Sequence, residues 1–226
     1  MILDSNYFKN ELYIAHAKPS ITSDVTTVSA ELVEFIQKYE EECLIKCLGY
    51  SLAHEFLAEL DSTKTNGLKE TADSKWDDLL NGKSYTNPDG EEVIWKGIRF
   101  KNLPTADKPN RSFLANYVYW FYEQGNVITV AGIGSTKQKS KNSVIVNKTP
   151  NVVRAWREMV EMIQGKPIER KLLVNRFGYG VDYYNGGNVD VNLYKFIIDM
   201  NELTPDTYQN FKRYYWDIEQ QNQFGL

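Results

Sequence analysis

The stretch "SAELVEFIQKYEEECLIKCLGYSLAHEFLAEL", residues 29–60, decides the fold class. Leu32, Phe35, Ile36, Tyr39, Cys43, Leu44 and Cys47 recur every three or four residues, the spacing of one helical face. Ser29 is placed to cap the start of this helix, and Glu31 sits in the first turn, where the helix dipole favours an acid. Gly49 can end it by adopting a positive φ. The pattern resumes at once, with Leu52, Ala53, Phe56, Leu57 and Leu60 turned inward. Two helices meeting at one glycine predict a tight corner.

Working outward, the same signals recur. "SKWDDLLNG", residues 74–82, reads as a short helix with Ser74 as cap and Gly82 as stop. "KSYTNPDGEEVIWKGIRF", residues 83–100, reads as a β-hairpin, because "NPDG" supplies turn chemistry between two β-prone arms. "NRSFLANYVYWFYEQG" predicts a helix apolar nearly all round, central in the fold or lying between partners. "TPNVVRAWREMVEMIQGKP" predicts another, with Thr149 as cap, Pro150 at the first position, and Gly165 and Pro167 at the end. Two C-terminal helices follow, over "VNLYKFIIDMNEL" and "DTYQNFKRYYWDIEQQNQ".

The expected architecture is therefore mainly α: a helical core with β-hairpin insertions and an extended C-terminal arm. Residues 1–28 form an N-terminal extension. Residues 29–164 form the core, with hairpins near 83–100 and 125–148. Residues 165–226 form an extended loop and a helical arm.

Bulk composition limits the function classes. The chain has 226 residues, 42% apolar and 25% charged, which suits a folded chain able to bury a core without metal or disulfide staples. The net charge of −4 does not favour a free-standing nucleic-acid binder. No apolar run approaches a membrane span, and "MILDSNYFKNELY" lacks the basic and apolar regions of a signal peptide. Cys43 and Cys47, four apart on an apolar helix face, fit a reducing compartment and a core role. Aromatic residues are abundant at 13%; they fit either interfaces or a tyrosine-rich core.

"TVAGIGSTKQKSKNSVIVNKT", residues 129–149, superficially suggests a phosphate cradle. It lacks the Gly-Lys pair of a P-loop, and no helix starts there. Its charge says more. Between Glu123 and Glu158 there is no acidic residue, while Lys137, Lys139, Lys141, Lys148, Arg154 and Arg157 fall inside that window. The flanks "NVITVA" and "SVIVN" are β-prone and predict a hairpin with lysines near its tip. Such lysines either face phosphates as point charges or protect a solvated edge from aggregation.

Catalytic patterns are missing. Glu40-Glu41-Glu42 reads as a solvated helix face, or as the acidic partner of the basic window on a neighbouring subunit. Asp77-Asp78 and Glu91-Glu92 lie on a polar helix face and beside a turn. His16 and His54 have no nucleophile-elbow context, and Cys43, Cys47 and His54 do not complete a zinc set. No catalytic residue, metal or cofactor is expected. Residues 166–190, rich in Gly and Asn, read as an extended arm whose Phe177, Tyr179, Tyr183 and Tyr184 are candidate partner contacts.

The order of elements resembles a known family. "ELVEFIQKYEEECLIKCLGYSLAHEFLAEL", "WDDLLNGKSY…WKGI", "SFLANYVYWFYEQGNVITVAGIG" and "VVRAWREMV" together look like head–tail connector proteins of tailed bacteriophages, most like the ring proteins of crAss-like and related Bacteroides phages. The resemblance spans residues 29–164 and rests on packing motifs. It implies a structural virion protein forming a ring, generally dodecameric, at the portal vertex. That ring would join the portal protein to adjacent ring or tail proteins and continue the channel for double-stranded DNA, with no enzymatic activity. Lys137, Lys139, Lys141 and Lys148 would then face DNA in the lumen or a neighbouring subunit. The protein would reside in the virion, and in the host cytoplasm during assembly. The alternative reading of the residues is a non-sequence-specific nucleic-acid-binding accessory protein acting through the same lysines.

Overall fold

The computed structural model describes residues 1–14, 17, 29–61, 67–99, 110–126, 129–131, 134–136, 149–165 and 190–211. The fold is mainly α with a β-hairpin, as the periodicity predicts. Helices α1 (Ala30–Leu48) and α2 (Tyr50–Ala58) are separated by Gly49 alone, whose φ of 84° is the positive value the corner requires. Ser29 sits at the N-cap of α1, but its side chain makes no capping bond; its carbonyl accepts from Val33 N–H instead. Helix α3 (Ser74–Asn81) is capped one residue earlier than expected, by Asp73, whose Oδ1 accepts from Lys75 N–H at 3.0 Å.

Strands β1 (Lys83–Thr86) and β2 (Glu92–Trp95) form the expected antiparallel hairpin around Asn87–Gly90. A third strand, β5 (Asp190–Val191), lies parallel to β2, pairing Ile94 with Asp190 and Trp95 with Val191. Two residues are too few for sequence alternation to reveal such a strand.

Helix α4 (Phe113–Asn126) is buried through every residue from Phe113 to Trp120. It is central within its own protomer. Helix α1 covers one flank, with Tyr39 stacked on Phe121 at 4.3 Å and Phe35 edge-on to Tyr122. Helix α5 (Thr149–Gln164) covers another, with Trp156 against Trp120 and the Asn116 amide donating to Ala155 C=O at 3.0 Å. Helix α6 (Leu193–Leu203) packs on α5 and on the inner sheet face, where Phe196 stacks on Trp95 and meets Tyr85 edge-on. The order of layers is thus α1, α4, α5, α6 and sheet.

The core runs past both expected boundaries. Ile2, Leu3, Tyr7, Phe8, Leu12 and Ile14 are buried in it, so residues 1–14 are a core strap, not an appended extension. At the other end, α6 and Tyr208 belong to the same core; Tyr208 donates its hydroxyl to Lys75 C=O at 2.7 Å and packs on Trp76. The final predicted helix falls largely beyond residue 211, outside the described residues. Strands β3 (Thr129–Ala131) and β4 (Gly134–Thr136) pair tightly, with Ala131 opposite Gly134. The lysines expected near the tip of the 125–148 hairpin lie outside the described residues.

One close approach is set by glycine. Where α3 ends beside the exit of β2, a Cβ on Gly97 would come within 2.5 Å of the Leu80 carbonyl oxygen, and one on Gly82 within 2.5 Å of Trp95 C=O. Both residues also have positive φ. Gly90, by contrast, has φ of 84° but open space around it. Gly97→Ala is expected to cost at least 3 kcal/mol or so, through backbone displacement added to strain, and Gly90→Ala about 1 kcal/mol from strain alone. Urea unfolding midpoints of the two variants check this ordering.

Candidate functional site

The polar chemistry of the described residues collects in three places. The first is the seam between α1 and α4. Tyr117 donates its hydroxyl to Glu42 Oε1 at 2.7 Å, and Lys46 Nζ donates to the same oxygen at 2.6 Å and to Tyr117 Oη at 2.8 Å. The i,i+4 spacing of Glu42 and Lys46 on α1 brings their heads together over the Tyr117 ring. Partial burial works against ionisation of Glu42, yet the bonds from Lys46 and Tyr117 hold its carboxyl below the ordinary range. Burial and the bond to Glu42 push the Tyr117 hydroxyl far up, so it remains a donor at neutral pH. Beneath this seam Cys43 and Cys47 are free and buried, as their helical face predicts. Burial raises the Cys43 thiol well above its ordinary value, and Cys47 adds to this, which makes it a poor nucleophile.

The second place is the sheet and α6. Asp199 is fully buried; its Oδ2 accepts from Tyr85 Oη at 2.8 Å. Lys195 Nζ lies 2.7 Å from the other oxygen, close enough for an ion pair but off-axis for a hydrogen bond. On the strand side, Lys96 pairs with buried Asp190. Asn192 caps α6 by accepting from Lys195 N–H at 3.0 Å. Two cations matched to two buried carboxylates make a neutral, structural arrangement.

The third is the acidic run of α1, which divides three ways. Glu40 is buried, and its Oε1 accepts from the backbone N–H groups of Ile2 at 2.6 Å and Leu3 at 3.0 Å. Glu41 is exposed, and Glu42 belongs to the seam. The reading of all three as one solvated face is corrected for Glu40: its helical position turns it under the N-terminal strap, which periodicity in α1 cannot reveal.

The remaining carboxylate pairs serve local structure. Asp77 accepts from the Asn81 amide and Asp78 from Lys83, both at 2.6 Å. Glu92 accepts from Thr86 Oγ1 at 2.6 Å, and Glu91 from the Asn87 amide at 3.2 Å. His54 packs against exposed Tyr50; His16 lies outside the described residues. Among the described residues no three His, Cys, Asp or Glu side chains converge as a metal set, and no helix is long and apolar enough to cross a membrane.

Of the acid-free window, Arg154 and Arg157 stand exposed on α5, with Arg154 Nη1 3.5 Å from Glu11. Lys137, Lys139, Lys141 and Lys148, and the arm residues Phe177, Tyr179, Tyr183 and Tyr184, lie outside the described residues. On the far flank, α1 turns Glu31, Glu34 and Glu41 to solvent. No family model, no curated protein and no solved structure matches the chain.

The Asp199 cluster makes a direct test of a structural role. Tyr85→Phe removes the donor to a carboxylate oxygen that water cannot reach, so a loss of about 1–3 kcal/mol is expected in chemical denaturation. Thr86→Val, on the exposed side of the same strand, should cost less than about 0.5 kcal/mol.

Proposed function

We propose that the chain is a structural virion protein: a ring subunit at the portal vertex of a tailed phage that joins the portal to the tail and continues the DNA channel. Charge separation across the protomer is the observation that carries this reading. Helix α4 has α1 on one flank and α5 on another. The free face of α1 carries Glu31, Glu34 and Glu41 with Lys38 among them, whereas α5 presents exposed Arg154 and Arg157 at the end of a sequence window with six cations and no acid, with the half-buried Glu158 and Glu161 following them. Flanks of opposite sign favour a head-to-tail contact between copies, and such contacts close into rings when the rotation fits. The order of helices that resembles connector proteins supplies the biological setting. The carboxylates described above are engaged in caps, turns and ion pairs, which suits a scaffold better than a catalyst.

Native mass spectrometry of the purified chain, alone and with portal protein, tests this reading. A closed oligomer is expected. Changing Glu31, Glu34 and Glu41 together to Lys should dissolve it, and Arg154→Glu with Arg157→Glu in the same chain should restore it. A chain that stays monomeric at high concentration and beside every neighbouring phage protein would overturn the reading. A monomer that binds duplex DNA, with a salt slope reduced by Lys137→Ala, Lys139→Ala and Lys141→Ala, would point to a nucleic-acid-binding accessory protein instead.

A further inference from the structure

The N-terminal strap is held by an unusual catch. Residues 1–14 contain only short 3-10 turns, Ser5–Tyr7 and Asn10–Leu12, among the described elements. Their apolar side chains are buried, but two of their backbone donors, Ile2 N–H and Leu3 N–H, are satisfied by one buried carboxylate oxygen of Glu40. The other titratable groups gathered there are the Met1 amino group, Asp4 and Tyr7 on the strap, and Arg99 beyond β2. Asp4 Oδ1 accepts from Asn6 N–H at 2.7 Å, and Arg99 Nη2 donates to Asn81 at 2.8 Å. Burial pushes the Tyr7 hydroxyl far up, and it stays neutral across the physiological range.

We propose that residues 1–14 form a pH-graded latch, with Glu40 as its catch, that grips α1 more weakly as pH rises and can open without unfolding of the helical core. The physical basis is a competition. Complete burial penalises the charge of the carboxylate, while the Met1 amino group and the two N–H donors favour it, and burial wins. Glu40 is pushed up to about 7 from an ordinary 4.5. A group raised in the docked state and ordinary in the open state favours docking fully below about 4.5 and loses that contribution as pH climbs through about 7. The latch goes beyond the ring reading and does not depend on it.

Amide exchange by NMR on the full chain, untagged at its N-terminus and corrected for intrinsic rates, provides the test. Between pH 6 and pH 8 the strap amides of Leu3, Tyr7 and Phe8 should lose about tenfold in protection. Amides of Tyr117 and Val118 in α4 should keep theirs. Glu40→Gln retains an acceptor oxygen without the charge, and its strap should show no such loss. Strap protection unchanged with pH would overturn the proposal. So would an equal loss in α4, which would mean global unfolding, or an equal loss in Glu40→Gln, which would assign the effect to another group such as the Met1 amine. Should Glu40→Gln fail to fold, the strap-against-α4 comparison in the unmodified chain still decides.

Discussion

A helix without a polar face must be covered on every side, and α4 is such a helix. From Phe113 to Trp120 each residue is buried, so the chain has to bring separate elements around it. Helix α1 covers one flank through Phe35 and Tyr39, and α5 another through Trp156. Residues 10–12 of the strap also reach α4 and α5. Polar atoms enclosed with α4 are given partners inside the bundle: the Asn116 amide finds Ala155 C=O, and Tyr117 Oη finds Glu42 and Lys46. Enclosure of α4 thus explains why the strap belongs to the core and why α1 carries polar residues on a face that also packs.

The aromatic excess follows from the same demand. Tyr7, Tyr85, Tyr117, Tyr119, Tyr194 and Tyr208 are all buried, so much of the tyrosine complement fills this protomer and is not held for partners. Tyrosine suits layers that must meet both apolar and polar neighbours. Tyr85 packs on Phe196 while its hydroxyl reaches Asp199, and Tyr208 packs on Trp76 while its hydroxyl reaches the Lys75 carbonyl. Aromatic abundance alone therefore says little about assembly here, and the weight of a functional reading moves to charge.

What was legible in the sequence was local. Helical spacing and stop signals found α1 to α6, and Gly49, Gly82 and Gly165 mark the ends of α1, α3 and α5 with positive φ. "NPDG" located the hairpin turn of β1 and β2. Long-range features were not legible. A two-residue strand such as β5 has no periodicity, and its parallel partner lies about a hundred residues upstream. The strap shows no helical or strand pattern because its apolar side chains fit a surface made by other elements. Ser74 looked like a cap, yet Asp73 serves, since either residue satisfies the sequence preference and the backbone path decides. For the site, Glu40, Glu41 and Glu42 look alike in sequence and differ only by which side of α1 each occupies. The candidate contacts from Lys137 to Tyr184 fall outside the described residues, so the geometry argued for assembly comes from α1 and α5 alone.

The placement of those two helices bears on the kind of symmetry a partner contact would use. A two-fold dimer uses one surface on both copies, residue i against j and j against i, so it could pair α1 with α5 twice only if both helices lay on that one surface. Attraction requires the α1 face of one copy to meet the α5 face of another. Because α4 stands between these helices on different flanks, satisfying one such contact leaves a second acidic and a second basic face unmatched at the ends of the pair. If the chain is a ring subunit as proposed, such a contact would propagate, and it would stop without loose ends when the copies close on themselves. On the proposed reading, ring formation is the arrangement in which every Glu31–Glu41 face and every Arg154–Arg157 face is used. A modest attraction at each contact then gains from closure, because the last contact joins copies already held in place.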